Sequence, residues 1–276
     1  MKARAILLAA VLLLAGCSAV EFAYNNADAW LGWRASHYLD LDDAQAREYD
    51  GRVASFLAWH RAEALPVYAQ LAEDAGARLA RGASRDDMIW GYDAIRAQAR
   101  EGLRRAGAAM GDFLDRLTPA QVEHLERRLA DDNRRYARLW LSGTPEERRQ
   151  QRQKRLVHTL EDWLGELSDA QRERVRRFSD AAPLNAALRD VERRRQQAEL
   201  LAMLRAKRSA GALGDWAAHW DRGREPAFAA ANRAYLDALF AMLADLERTL
   251  SERQRAHVVE RLREYARDFR ALAAAQ

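Results

Sequence analysis

Apolar residues return at three- and four-residue intervals along nearly the whole chain. Val122, Leu125 and Leu129 fall on one stripe, Leu156, Leu160, Trp163 and Leu167 on a second, and Leu236, Leu239, Phe240, Leu243 and Leu246 on a third. That spacing is the period of an α-helix with one face turned to a core. No segment alternates apolar and polar residues beside a hairpin turn, so no strand is predicted. The breakers fall between the stripes, at Gly82, Gly143, Pro183 and residues 223–226. Start signals place one aromatic-rich helix over residues 19–37. Others begin near Asp42, near Pro66, at the box over residues 84–87, at Thr118, Thr144 and Ser168, near Ala210, and at Pro226 and Ser251. The expected fold is all-α: an antiparallel bundle or curved array of about eight to ten helices with no sheet.

One local pattern recurs. LTPAQ at Leu117, LSDAQ at Leu167 and LSERQ at Leu250 share a Leu, a short polar residue, two variable positions and Gln, and LDDAQ at Leu41 is a looser copy. Each reads as a helix start. Thr118, Ser168 and Ser251 are placed as N-caps whose hydroxyls accept from the N3 amide. Gln121, Gln171 and Gln254 at N3 reach back to the cap amide, which closes a capping box. Pro119 sits at N1, where its missing N–H costs nothing, and Leu117 before the cap can pack on Val122 as a hydrophobic staple. Each cap contributes about 1 kcal/mol, enough to set a boundary and too little to imply an activity. The three motifs are similar to the LTxxQ motif of the small periplasmic stress proteins of the Spy and CpxP group. That resemblance implies shielding of unfolded envelope proteins on a helical surface without ATP. Helix capping alone and a shared chaperone role both remain open.

The N-terminus carries an address. Lys2 and Arg4 precede an apolar run from Ala5 to Leu14, followed by Ala15, Gly16 and Cys17. Ten apolar residues are too few to cross a bilayer core of about 30 Å, and the layout is that of a secretory signal. Leu14-Ala15-Gly16-Cys17 resembles the bacterial lipobox, and Cys17 is the only cysteine of the 276 residues. A single cysteine cannot form an internal disulfide. The resemblance implies a signal peptide over residues 1–16, a mature domain over 17–276, and lipid attachment at Cys17. Ser18 stands where Asp would signal retention on the inner membrane, so the expected location is the periplasmic face of the outer membrane. Within the mature domain, two sub-bundles meeting near residue 143 are a candidate division.

Charge changes the picture once the leader is set aside. The chain has 45 basic and 41 acidic residues, and loss of Lys2 and Arg4 leaves 43 against 41, a net of +2. Near-neutrality and export argue against a nucleic-acid partner. Residues 20–50 hold seven acids against Arg34 and Arg47, whereas residues 144–208 hold sixteen bases against eleven acids. The run RRQQRQKR from Arg148 to Arg155 reads as the solvated face of a helix.

Signs of catalysis are missing. The six histidines, His37, His60, His124, His158, His219 and His257, form no HExxH or Glu-x-x-His pair. There is no Gly-rich phosphate loop and no Gly-x-Ser-x-Gly elbow. We therefore expect no catalytic residues, no metal and no cofactor. Trp30 and Trp33, close to Cys17, are candidates for a membrane interface or for the core, and Trp216 and Trp220 for the core or a groove.

A wider resemblance runs from the lipobox through Tyr24-Asn25-Asn26 and the Trp-rich helix to Tyr38-Leu39-Asp40-Leu41-Asp42-Asp43-Ala44-Gln45. It is similar to the proteobacterial lipoproteins grouped as domain-of-unknown-function family 6279, which implies location and fold and transfers no catalytic residue. The expected role is an outer-membrane-anchored lipoprotein that binds envelope proteins, as a holdase or stress adaptor. The alternative is a structural lipoprotein that docks one specific envelope partner.

Overall fold

The structure is a computed structural model that describes residues 19–275. Cys17 and the signal-like segment lie outside the described residues. Among the described residues every regular element is helical and there is no strand, as the periodicity predicts. The helices are α1 (Ala19–Asn25), α2 (Ala27–Leu39), α3 (Asp43–Trp59), α4 (Leu65–Ala80), α5 (Arg85–Asp115) and α6 (Pro119–Tyr136). They continue as α7 (Pro145–Leu164), α8 (Asp169–Ala181), α9 (Ala186–Arg205), α10 (Ser209–Ala218), α11 (Pro226–Glu247) and α12 (Glu252–Ala274). Two π-helical turns, His60–Ala64 and Ala137–Leu141, extend α3 and α6.

Local chemistry explains most boundaries. Asp42, Ser84, Thr118, Thr144, Ser168 and Ser251 each accept from the N3 amide while the N3 side chain accepts from the cap amide. These are the predicted boxes. One boundary differs from the expectation. The helix over residues 19–37 is divided at Asn26, whose side-chain amide donates to the Phe22 carbonyl at 2.8 Å, and it then runs on to Leu39. A polar side chain that bonds its own backbone competes with the helical ladder.

The start expected near Pro66 is α4, which carries Pro66 in its first turn. The backbone passes from α3 through the π turn into α4, and the Leu65 N–H donates to the His60 carbonyl five residues back. The wider turn accommodates a proline that has no N–H for the ladder. The start of α9 carries no sequence signal, because Asn185 makes no side-chain cap bond. α10 is capped from a distance instead: Asp115 accepts from Ser209 N at 2.7 Å and Ala210 N at 3.0 Å.

Packing gathers the helices around separate apolar clusters. Leu164, Leu167, Val175, Phe178, Met242, Leu246 and Val258 join α7, α8, α11 and α12. Leu117, Val122, Leu125, Leu201 and Leu204 join α6 to α9, with Tyr38, Leu39 and Leu41 laid against them. Elsewhere small residues bring backbones together. A Cβ on Gly107 would lie 2.8 Å from the Gly214 Cα, and one on Gly111 2.5 Å from the Ser209 carbonyl oxygen, so α5 and α10 pack with nothing between them. Ala69, Ala72 and Ala266 do the same for α4 and α12, beside Tyr265 and Phe269.

Candidate functional site

The recurring pentads come together in pairs. Gln171 and Gln254, 83 residues apart, exchange side-chain hydrogen bonds: each Nε2 donates to the other's Oε1 at 3.0 Å. Gln171 Nε2 also donates to the Thr249 carbonyl at 3.0 Å, and Gln254 Nε2 to the Glu166 carbonyl at 2.9 Å. Their Oε1 atoms accept from Ser168 N and Ser251 N. Each amide thus uses two donors and two acceptor sites, its whole capacity. Both are buried, as is Leu167, and Leu250 packs against the same cluster.

Gln121 repeats the pattern with Gln45. Its Nε2 donates to Gln45 Oε1 at 2.7 Å and to the Asp40 carbonyl at 3.0 Å, and its Oε1 accepts from Thr118 N at 2.9 Å. Gln45 Nε2 returns a longer bond of 3.3 Å to Gln121 and makes no further one. Leu117 lies buried in the cluster beneath. The pentads cap their own helices and also latch two helix starts together, and the Gln171–Gln254 pair leaves no amide group for a ligand.

A cavity of about 690 Å³ lies elsewhere. It opens where the π turn Ala137–Leu141 ends α6, between α7 from Glu147 to Thr159 and the first turn of α9, with Tyr235 of α11 behind it. Arg148, Arg152, Arg155 and Arg189 line it, and Glu147 is its one acidic lining residue. Glu147 is already committed, accepting from Thr144 N at 2.7 Å to cap α7. Arg155 lies 4.4 Å over the Trp140 ring and Arg193 4.4 Å over Tyr136. Arg148 donates to the Leu141 carbonyl at 3.0 Å.

Arg152 donates to the Pro183 and Ala182 carbonyls, both at 2.8 Å, and to that of Ser179, so its charge closes the C-terminal end of α8. Burial pushes its guanidinium below the usual arginine range. Among the described residues, no carboxylate forms an ion pair with Arg148, Arg152, Arg155 or Arg189. Arginines elsewhere are paired, as when Arg96 and Arg100 share Asp221 or Arg52 bridges Glu48 and Asp112. At the rim, Leu139 is 66% exposed and Trp140 40%. The cavity is therefore a cationic cleft with an apolar, aromatic lip.

The family model described as a family of unknown function (DUF6279) matches residues 37–215, well over half of the chain. The chain belongs to this family. Neither a curated protein nor a solved structure matches it. The span matched to DUF6279 takes in the three earlier pentads and the arginines and Trp140 of the cleft. It stops short of α11 and α12, which supply Tyr235 and Gln254.

Read as a solvated helix face, the run from Arg148 to Arg155 hid the cleft. Arg148, Arg152 and Arg155 stand at i, i+4 and i+7 on one side of α7, and that side borders the cleft shared with the start of α9, with Arg155 still exposed. Periodicity shows that they share a face and not what the face meets. A second polar cluster sits at the other π turn. His60 is in hydrogen-bond contact with Tyr24 Oη at 3.0 Å through Nδ1 and with Tyr68 Oη at 3.3 Å through Nε2, and burial lowers its pKa. It ties α1 to the body of the fold. Among the described residues no three His, Cys, Asp or Glu side chains converge as metal ligands, and no helix is long and apolar enough to cross a membrane.

Proposed function

We propose that this is a non-catalytic envelope lipoprotein, held through Cys17 at the periplasmic face of the outer membrane, that docks an acidic, partly apolar segment of one partner protein. The cleft carries this reading. It gathers four arginines beside Leu139, Tyr136 and Trp140, with Arg148 and Arg152 engaged by backbone carbonyls and Arg155 and Arg189 in no ion pair among the described residues, a combination that attracts carboxylates and buries apolar side chains. Aromatic residues and arginines are also the side chains most often found at energetic centres of interfaces.

Docking of a specific segment fits this surface better than broad capture of unfolded chains. The other exposed apolar side chains of the body, such as Ile95, Leu103 and Val191, lie apart from the cleft lining and form no part of its lip. The support for the lipid anchor is the LAGC sequence with Ser18 behind it.

A photoreactive side chain at Leu139 tests the docking. The expected product in cells is one stoichiometric adduct whose mapped partner segment is rich in Asp and Glu, lost in Arg155→Glu/Arg189→Glu. A ladder of unrelated adducts, or suppression of aggregation of a denatured client at equimolar ratio, would favour the holdase instead. The anchor is tested separately by palmitate incorporation, which should vanish in Cys17→Ser.

A further inference from the structure

α1 and α2 lie against the fold by one stripe and turn a second stripe outward. Val20, Tyr24, Ala27, Leu31, Ala35 and Tyr38 follow helical spacing, and all are wholly or partly buried. Tyr24 is fastened through His60, and Tyr38 donates to Asp132. On the opposite side a surface helix should carry polar groups. Here Phe22 on α1 and Trp30 and Trp33, one turn apart on α2, are 69%, 54% and 62% exposed, Trp33 also edging a cavity against α3. Three large aromatic side chains held toward water on the two helices nearest Cys17 are costly unless something covers them.

We propose that this outward stripe rests in the headgroup region of a zwitterionic phospholipid bilayer, so that the protein lies on the membrane by α1 and α2 rather than hanging from a flexible tether. Position on the chain selects the occupant. Phe22 follows Cys17 by five residues, so an acylated Cys17 delivers this stripe to a lipid surface before it can meet any other partner. This inference rests on the lipid anchor proposed above.

The chemistry agrees. Indole rings favour the membrane–water interface, and an amphipathic element needs its apolar side buried only to headgroup depth. Arg34, whose guanidinium lies 5.2 Å from the Trp30 ring centroid, supplies a cation at the level of a lipid phosphate. Asp28, Asp40, Asp42, Asp43 and Asp50 on or beside these helices weigh against an anionic surface.

The test uses the full chain reconstituted in phosphatidylcholine and phosphatidylethanolamine vesicles whose acyl chains carry bromine close to the carbonyl. Tryptophan emission should be quenched, and Trp30→Phe/Trp33→Phe should remove most of that quenching while the protein still floats with the vesicles. High salt should leave the signal unchanged. Quenching that persists in the double variant, or is absent from the unmodified protein, overturns the proposal. So does a dimer that dissociates when both tryptophans are made Gln, because a second copy would then cover the stripe.

The anchor can fail without taking the stripe with it. A histidine tag in place of residues 1–17, bound to nickel-chelating lipid, presents the same helices at the same surface. Quenching there with no palmitate label in the full chain removes the anchor alone. A label without quenching removes the stripe alone.

Discussion

Gln171 and Gln254 have no spare hydrogen-bonding capacity, so removing one strands the other in a buried site. An unsatisfied buried amide costs about 1–3 kcal/mol. Gln171→Ala should therefore lower the unfolding free energy by roughly 2 kcal/mol, in addition to the loss of its capping bond. Because the two share one network, Gln171→Ala/Gln254→Ala should cost less than the sum of the single losses, a coupling readable by urea denaturation. Strict additivity would mean that the pair is not a unit. Gln45→Ala should cost less than either, since Gln45 is half-exposed and makes one bond fewer.

His60 adds a pH term of defined sign. Burial holds its folded pKa below the ordinary value of 6.5, so at falling pH the unfolded chain takes up a proton before the folded one does. Its contribution is complete above about pH 6.5 and is lost as pH drops below that value. The melting temperature of His60→Gln should fall less between about pH 7 and pH 5.5 than that of the unmodified protein, and equal slopes would exclude the effect.

At the scale of elements, glycine shows how much a helix pair depends on contact. Gly111 faces the Ser209 carbonyl and the Ala210 Cα, both backbone atoms that cannot swing aside. Gly111→Ala should force α5 and α10 apart and cost about 1–3 kcal/mol or more. Gly51, in the middle of α3, meets nothing within 4 Å. Gly51→Ala should raise stability by about 0.5–1 kcal/mol through helix propensity alone. Thermal melts of the two variants should move in opposite directions.

The capping boxes belong to the same scale and were fully legible, because donor and acceptor are three residues apart. The π turn that joins α3 to α4 just before Pro66 was not, because the register of the ladder, fixed there by the Leu65-to-His60 bond, leaves no residue pattern.

Across the whole molecule, chain-distant helices close the fold. α12 packs along α4 through Ala69, Ala72 and Ala266, sends Arg255 to the Leu79 carbonyl at 2.5 Å, and supplies Gln254 to the third pentad. A chain ending at Thr249 should therefore lose cooperative unfolding and near-ultraviolet circular dichroism rather than fold as a shorter bundle. Retention of a sharp two-state transition would show α12 to be dispensable. The cleft is also a product of this scale. Its walls come from α6, α7, α9 and α11, and the Arg155→Glu/Arg189→Glu variant should leave stability unchanged while abolishing the Leu139 adduct, because neither arginine is engaged in an ion pair of the fold.

The sequence by itself determined the helical class, six capped helix starts and which residues share each helix face, because these depend on interactions within about one or two turns. It also carries the lipobox-like address, which is a linear signal. Only the tertiary structure decided that the pentads pair, that one face of α7 looks into a cleft, and that Phe22, Trp30 and Trp33 turn outward. Each of those depends on where a second helix lies. Helical periodicity separates one face from another but does not say what either face meets, and only packing chooses among the partners.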